Sequence, residues 1–317
     1  MSKAAKATER AAGATGARGA AGAGTPAAGA PAANAPRGRK DHSALVRGLL
    51  IFVAVAFVVL MLVLPLVSVL VNSLREGVAF YLESLQTRYV LSALTVTLIA
   101  AGITLVVNTI FGLAASWLLT RYSFKGKQVL ATLIDIPFSI SPVIAGLAFV
   151  MMFGRMGWAS PILDAVNGFF GTDIQIAYAI PGVVLATIFV TFPFVSREII
   201  PVLNSRGTDE ETAAAQMGAS GWTIFRKITF PQIKWALMYG MVLCAARALG
   251  EFGAVNAISK TRGETFTLPL EIDALYMSGA SDSITAAFAV SSILVIIAIV
   301  MLVARSVIEA RSKKKDK

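Results

Sequence analysis

The chain has 317 residues, 56% of them hydrophobic and 15% charged, with a formal net charge of +10 and a mean hydropathy of +0.73. Too few charges remain to cover a globule in water, so an ordinary soluble domain is excluded and lipid is the expected solvent. One cysteine and one histidine exclude disulfides, zinc sites and Cys/His nucleophile pairs within the chain.

Residues 1–44 are mostly Ala, Gly and Pro with scattered Arg and Lys. Such a composition has too few large apolar groups to offset the entropy of ordering, so a disordered basic tail is expected. It does not read as a signal peptide. The first apolar run begins near residue 48, exceeds the length of an h-region and lacks a small-residue cleavage site behind it.

An all-α membrane domain is expected over residues 45–304. A spanning helix needs about 20 apolar residues, because lipid offers the backbone no hydrogen-bond partner over about 30 Å. Residues 48–71, 89–120 and 284–304 are uncharged throughout. Residues 128–153 carry Asp135, residues 174–195 are interrupted by Pro181 and Pro193, and residues 235–259 carry Arg247 and Glu251. The reading is about six spans. Lys and Arg accumulate in cytoplasmic segments: 22 fall in the tails and the proposed inner loops against 5 in the proposed outer loops. Both termini are therefore expected in the cytoplasm, in an inner membrane. The basic tail at 305–317, with Lys313, Lys314 and Lys315, then reflects topology and anionic lipid rather than nucleic-acid binding.

Polar groups inside the third and fifth spans carry information. An ionised Asp135 or Arg247 near the bilayer centre costs about 2.5–3.5 kcal/mol, so each must face protein or a watery path. Asp135 reads as bonded to a neighbouring helix or near the interface. Arg247 and Glu251 are four apart and share a helix face, as a structural ion pair or as a gate. Gly250, Gly253 and Ala254 would let another backbone approach the same helix. Pro137 and Pro142 free carbonyls and kink the third span, which lipid penalises unless a cavity or a neighbour satisfies them. Ser139, Ser141 and exposed amides there offer weak donors to a dianion. Cys244 and the ten methionines read as packing.

Residues 196–234 form the longest cytoplasmic loop. Thr208-Asp209-Glu210-Glu211 reads as a capping box, and Gly218 as a residue free to take positive φ at a helix end. A second short helix can start at Ser220 and present Trp222, Phe225 and Ile228 on one face, with Pro231 in the first turn of the next helix. Taken alone, this is a cytoplasmic helix-turn-helix, with an interfacial helix lying on the bilayer as the alternative.

The spacing of Ala213-Ala214, Gly218 and Ile228-x-Phe230-Pro231 resembles the E-A-A-x(3)-G-x(9)-I-x-L-P loop of permease subunits in binding-protein-dependent ABC importers. Thr212 stands where that motif has Glu, with Glu211 one position earlier, and Phe230 stands where Leu is usual. The resemblance implies the type I ABC importer permease fold and makes 207–231 the docking loop for a separate ATPase. The segments Asp135 to Gly146, Arg262 to Ile272 and Ala287 to Val290 look most like the W-type permease of sulfate/thiosulfate importers, while Arg247 to Val255 resembles sulfate and molybdate permeases alike. That family implies a heterodimer with a T-type permease, two copies of an ATPase and an extracytoplasmic sulfate-binding protein. The sequence contains no G-x-x-x-x-G-K-[ST], so ATP and Mg would act in the partner, and no cofactor, metal or catalytic residue is assigned to this chain. A molybdate/tungstate permease is the near alternative. An intramembrane enzyme using Asp135 and Glu251 is disfavoured because Glu251 already has Arg247 as a local partner, and a secondary transporter fits the loop and the lack of an internal repeat poorly.

Overall fold

The computed structural model describes residues 42–315, with side chains described for 46–311. Most of the expected tail at 1–44 and the end of the basic segment at 305–317 lie outside these ranges. Every regular element among the described residues is helical, as expected where the backbone must satisfy itself in lipid. The chain divides into two units, Met1–Val55 and Ala56–Lys317. In the first, the described residues are helical and the side chains from Val46 onward are exposed.

In chain order the helices are α1 (His42–Val58), a π turn (Val59–Val63), α2 (Leu64–Ser73), α3 (Gly77–Gln86), α4 (Arg88–Arg121), α5 (Lys127–Ser139), α6 (Pro142–Phe153), α7 (Ser160–Phe170), α8 (Ile180–Thr191) and α9 (Pro193–Arg206). They continue with α10 (Asp209–Gln216), α11 (Gly221–Ile224), a second π turn (Phe225–Thr229), α12 (Phe230–Leu249), α13 (Gly253–Ile258), α14 (Leu268–Met277) and α15 (Ser281–Lys315). Among the described residues four helical stretches are long and apolar enough to cross a membrane: Val46–Ser73, Arg88–Arg121, Ile180–Arg206 and Ser281–Arg311. A fifth follows if α5 and α6, bent by 107° at their break, form one span.

The expected boundaries move in three places. The segment expected as the third span is two helices at a sharp angle, because Ile140 and Ser141 are extended and Pro142 starts a new helix. The fourth starts at Ile180, not 174, with Pro181 in its first turn, where a missing donor costs nothing. The fifth ends at Leu249, so Gly253 and Ala254 sit on a separate short helix and not on the helix of Arg247.

Small residues bring the central helices together. Val195 of α9 is fully buried between Gly112 of α4 and Gly240 of α12: a Cβ at Gly112 would lie 2.8 Å from the Val195 Cβ, and one at Gly240 would lie 3.1 Å from its Cα. This is the close backbone approach that drives helix association where no hydrophobic effect acts between helices. A polar seam crosses the same packing. The Asn108 side-chain amide donates to Thr191 Oγ1 at 2.8 Å and reaches Cys244 Sγ at 3.7 Å, tying α4 to α8 and α12. Cys244 is buried and free within the cluster of Val195, Ile199, Leu203, Ile233 and Leu237, in line with packing.

Candidate coupling loop and pathway

Two helix breaks meet. A Cβ at Gly253 would lie 3.2 Å from the Pro142 Cβ, and one at Gly146 would strike the carbonyl oxygen of Ala254 and lie 2.9 Å from the Ala257 Cβ. Helices α6 and α13 therefore touch backbone to backbone at Gly146, where any side chain would strike Ala254. Beside the contact, Arg247 Nη1 is 2.6 Å from Glu251 Oε2; the Glu251 side chain is 1% exposed and that of Arg247 34%. Glu251 Oε1 also accepts a hydrogen bond from Ala254 N at 2.8 Å. The pair is not a simple i,i+4 contact along one helix, since Glu251 lies in the turn and its carboxylate satisfies a free donor of α13.

The candidate pathway residues do not all converge. Pro142, Glu251 and Gly253 gather at this contact. Ser139 and Ser141 lie exposed at the α5–α6 break. Gly250 lines a mostly apolar cavity of about 310 Å³ between α12 and α15, with Leu249, Ile297, Met301 and Arg305. Asp135 is held from α9 by Arg197 at 3.0 Å, and that guanidinium lies 4.1 Å above the Phe138 ring. Asp135 and Glu251 are each neutralised by an arginine of their own, unlike two carboxylates sharing a proton. Among the described residues no cluster of His, Cys, Asp and Glu suits a metal ion.

The loop at 207–231 keeps its hinge and loses its capping box. Gly218 has φ +82, and the amides of Gly218 and Ala219 bond to Ala215 O and Ala214 O, closing α10. Ser220 caps α11, accepting from Thr223 N at 3.4 Å, and Pro231 lies in the first turn of α12. Ala214 is buried and Ala213 exposed. Thr208 makes no side-chain cap bond, and the Glu211 carboxylate faces away from the helix start. It meets Arg121 at the end of α4, with Nε 2.8 Å from Oε2 and Nη2 3.0 Å from Oε1. Thr229 Oγ1 donates to Oε1 at 2.8 Å. A guanidinium outcompetes a backbone amide for a carboxylate because both partners are charged.

Nor do Trp222, Phe225 and Ile228 form one exposed face. The helix widens to a π turn at Phe225, which rotates the following side chains. Phe225 packs against Trp117 of α4 at 5.8 Å, while Trp222 stacks on Phe225 at 5.7 Å and stays 70% exposed. Ile228 is half-buried.

A family model described as "Binding-protein-dependent transport system inner membrane component" matches residues 108–314. The chain belongs to this family. The sulfate transport system permease protein CysW of Synechococcus elongatus is 42% identical over 282 residues, 88% of this chain and 95% of the relative. CysW of Escherichia coli K12 is 42% identical over 81% of this chain and 85% of its own length. The E. coli sulfate permease protein CysT is 37% identical over 64% of this chain and 71% of its own length. A crystal structure of a bacterial alginate ABC transporter, bound to its alginate-loaded periplasmic protein, contains a chain that superposes with a TM-score of 0.69. It covers 87% of this chain and 96% of that one at 18% identity, which shows a shared fold.

For an inner membrane component of this family, the matched region contains the loop, both helix breaks and the Arg247–Glu251 pair. Several residues of this transport component carry the geometry without having stood out in the sequence. Arg121 counts there only as one of the inner basic residues, and Thr229 as one of many threonines. Arg262 and Glu271 form a further ion pair near the start of α14, with contacts of 2.9 and 3.1 Å from Arg262 Nε and the Arg262 guanidinium 4.7 Å over the Tyr89 ring. Hydrogen bonding to Glu271 holds the Arg262 guanidinium above its ordinary pKa against the opposing effect of burial. Such a group contributes stability at every pH below its unfolded pKa and loses it only as pH rises through the folded value, beyond physiological conditions. The local signal for the pair was the spacing of nine across a turn, which no short-range pattern marks.

Proposed function

We propose that this chain is the W-type permease of a sulfate/thiosulfate importer, paired with a T-type permease, driven by two copies of a separate ATPase that binds ATP and Mg, and supplied by an extracytoplasmic sulfate-binding protein. The observation that carries this reading is identity of 42% to a CysW protein along 95% of that protein's length, against 37% to CysT over 71%. In this reading the chain crosses the inner membrane six times, with α5–α6 and α12–α13 each counted as one broken span, and both termini are cytoplasmic. The loop at 207–231 docks the ATPase through its exposed residues. The meeting of α6 with α13 beside Arg247 and Glu251 borders the path, where half-helices and unwound backbone offer dipoles without a trapping cluster of cations.

Uptake of labelled sulfate in a strain lacking this gene and any other sulfate importer, with and without the gene restored, tests the proposal. Restored uptake of sulfate, competed by thiosulfate, is expected. Unchanged sulfate uptake with restored molybdate or tungstate uptake would replace it by the molybdate alternative.

A further inference from the structure

We infer that Arg121, Glu211 and Thr229 form an internal clasp through which movement of the docking loop enters the membrane bundle, so that Arg121 is a positioning residue for coupling. The inference rests on the loop being the ATPase-docking element. Its first support is burial: the side chains of Arg121 and Glu211 are 8% and 15% exposed, and Thr229 is 1% exposed. Glu211 is therefore spent inward and not offered to a partner. The side chains left for a partner are others, among them Met217 at 82% and Trp222 at 70% exposure.

The second support is connectivity. One guanidinium donates through Nη2 to Glu211 Oε1 at 3.0 Å, keeps Nε within ion-pair distance of Oε2 at 2.8 Å, and donates through Nη1 to the carbonyl of Leu203 at 3.1 Å. One carboxylate in turn receives Thr229 from the π turn. Four segments thus meet at one ionic centre: the end of α4, the end of α9, the start of α10 and the π turn leading into α12. Such π turns occur often at functional positions, and here the extra residue brings a buried hydroxyl onto the carboxylate. The aromatic contact of Trp117 with Phe225 ties the same two sides, so the loop cannot tilt without moving α4 or breaking the clasp.

The third support is where α4 leads. This one helix of 34 residues carries Asn108, whose amide bonds α8 and reaches Cys244 of α12. A push at Arg121 is delivered along a stiff helix to the middle of the bundle, with no other element in between. A guanidinium suits this task because its planar donors reach the Glu211 carboxylate and the Leu203 carbonyl from one rigid group.

The test uses the full complex reconstituted with its partner permease, ATPase and sulfate-loaded binding protein, reading sulfate moved per ATP hydrolysed. Spin labels at Arg226→Cys, an exposed position of the loop, and Trp158→Cys report the ATP-driven change in separation between the loop and the α6–α7 turn. Arg121→Ala is expected to co-purify with the ATPase, move about 2- to 30-fold less sulfate per ATP and lose the label movement; Arg121→Lys should not restore it. If Arg121→Ala fails to assemble, Thr229→Val, which removes one donor at nearly constant shape, takes its place with the same expectations. A wild-type ratio and wild-type label movement in the assembled variant would overturn the clasp. A wild-type complex that hydrolyses ATP without moving sulfate would sink the sulfate reading alone, and the label movement would still decide the clasp.

Discussion

Arg247 and Glu251 stand 2.6 Å apart across the end of α12, and the same carboxylate bonds the Ala254 amide at 2.8 Å. One buried charge thus stops one helix and starts the next.

Removing the arginine should therefore cost more than neutralising both partners. Arg247→Ala leaves an unpaired buried carboxylate, a loss of about 3–5 kcal/mol. Arg247→Ala with Glu251→Gln keeps an acceptor for Ala254 N and should recover most of that loss. Thermal unfolding of the detergent-purified complex measures both. Equal midpoints for the single and double variants would show that the pair does more than close the helices.

Gly218 can be tested apart from packing, because a Cβ there would meet nothing within 4 Å while φ is +82. Gly218→Val should cost about 1–2 kcal/mol of local strain and misaim α11, whereas Gly218→Asn should be milder. Capture of the ATPase by the tagged variant, read beside sulfate uptake, is expected to fall for Val. Full capture with full transport would mark the loop as an interfacial helix on the bilayer.

Glycine contact between α6 and α13 gives a paired comparison. Gly146→Ala sets a methyl against the backbone of Ala254, which cannot rotate away, and should destabilise by about 1–3 kcal/mol. Gly102→Ala meets nothing within 4 Å and should be neutral or stabilising by about 1 kcal/mol. Thermal midpoints of the two variants must separate for the contact to be as tight as described.

Reporter fusions test the orientation. A fusion after Lys317 or within residues 121–127 should report the cytoplasm, and insertions at Trp158 or Gly279 the outside. A cytoplasmic signal at Gly279 would remove one of the six proposed spans.

Much of the bundle was legible because about 20 apolar residues in a row admit little but a spanning helix. The hinge at Gly218, the cap at Ser220 and the first-turn Pro231 were legible for a similar reason, since each is set by its own neighbours. What escaped was decided at a distance. Glu211 reads locally as half of a capping box, and only the fold reveals that Arg121, 90 positions earlier, takes its carboxylate. The end of α12 at Leu249 was hidden because nothing near Gly250 forbids a helix; the turn is fixed by Glu251 reaching forward and by Pro142 and Val143 crowding Gly253.

The last helix has a mechanical consequence. At 35 residues, α15 is about 50 Å long, whereas the hydrocarbon it must cross is about 30 Å thick. Its final turns therefore stand clear of the acyl chains as a continuation of the same rod. Arg311 is borne on a stiff mast whose height is set by its root in the bilayer, and shortening that mast would lower its charge toward the membrane surface instead of untying a loose end.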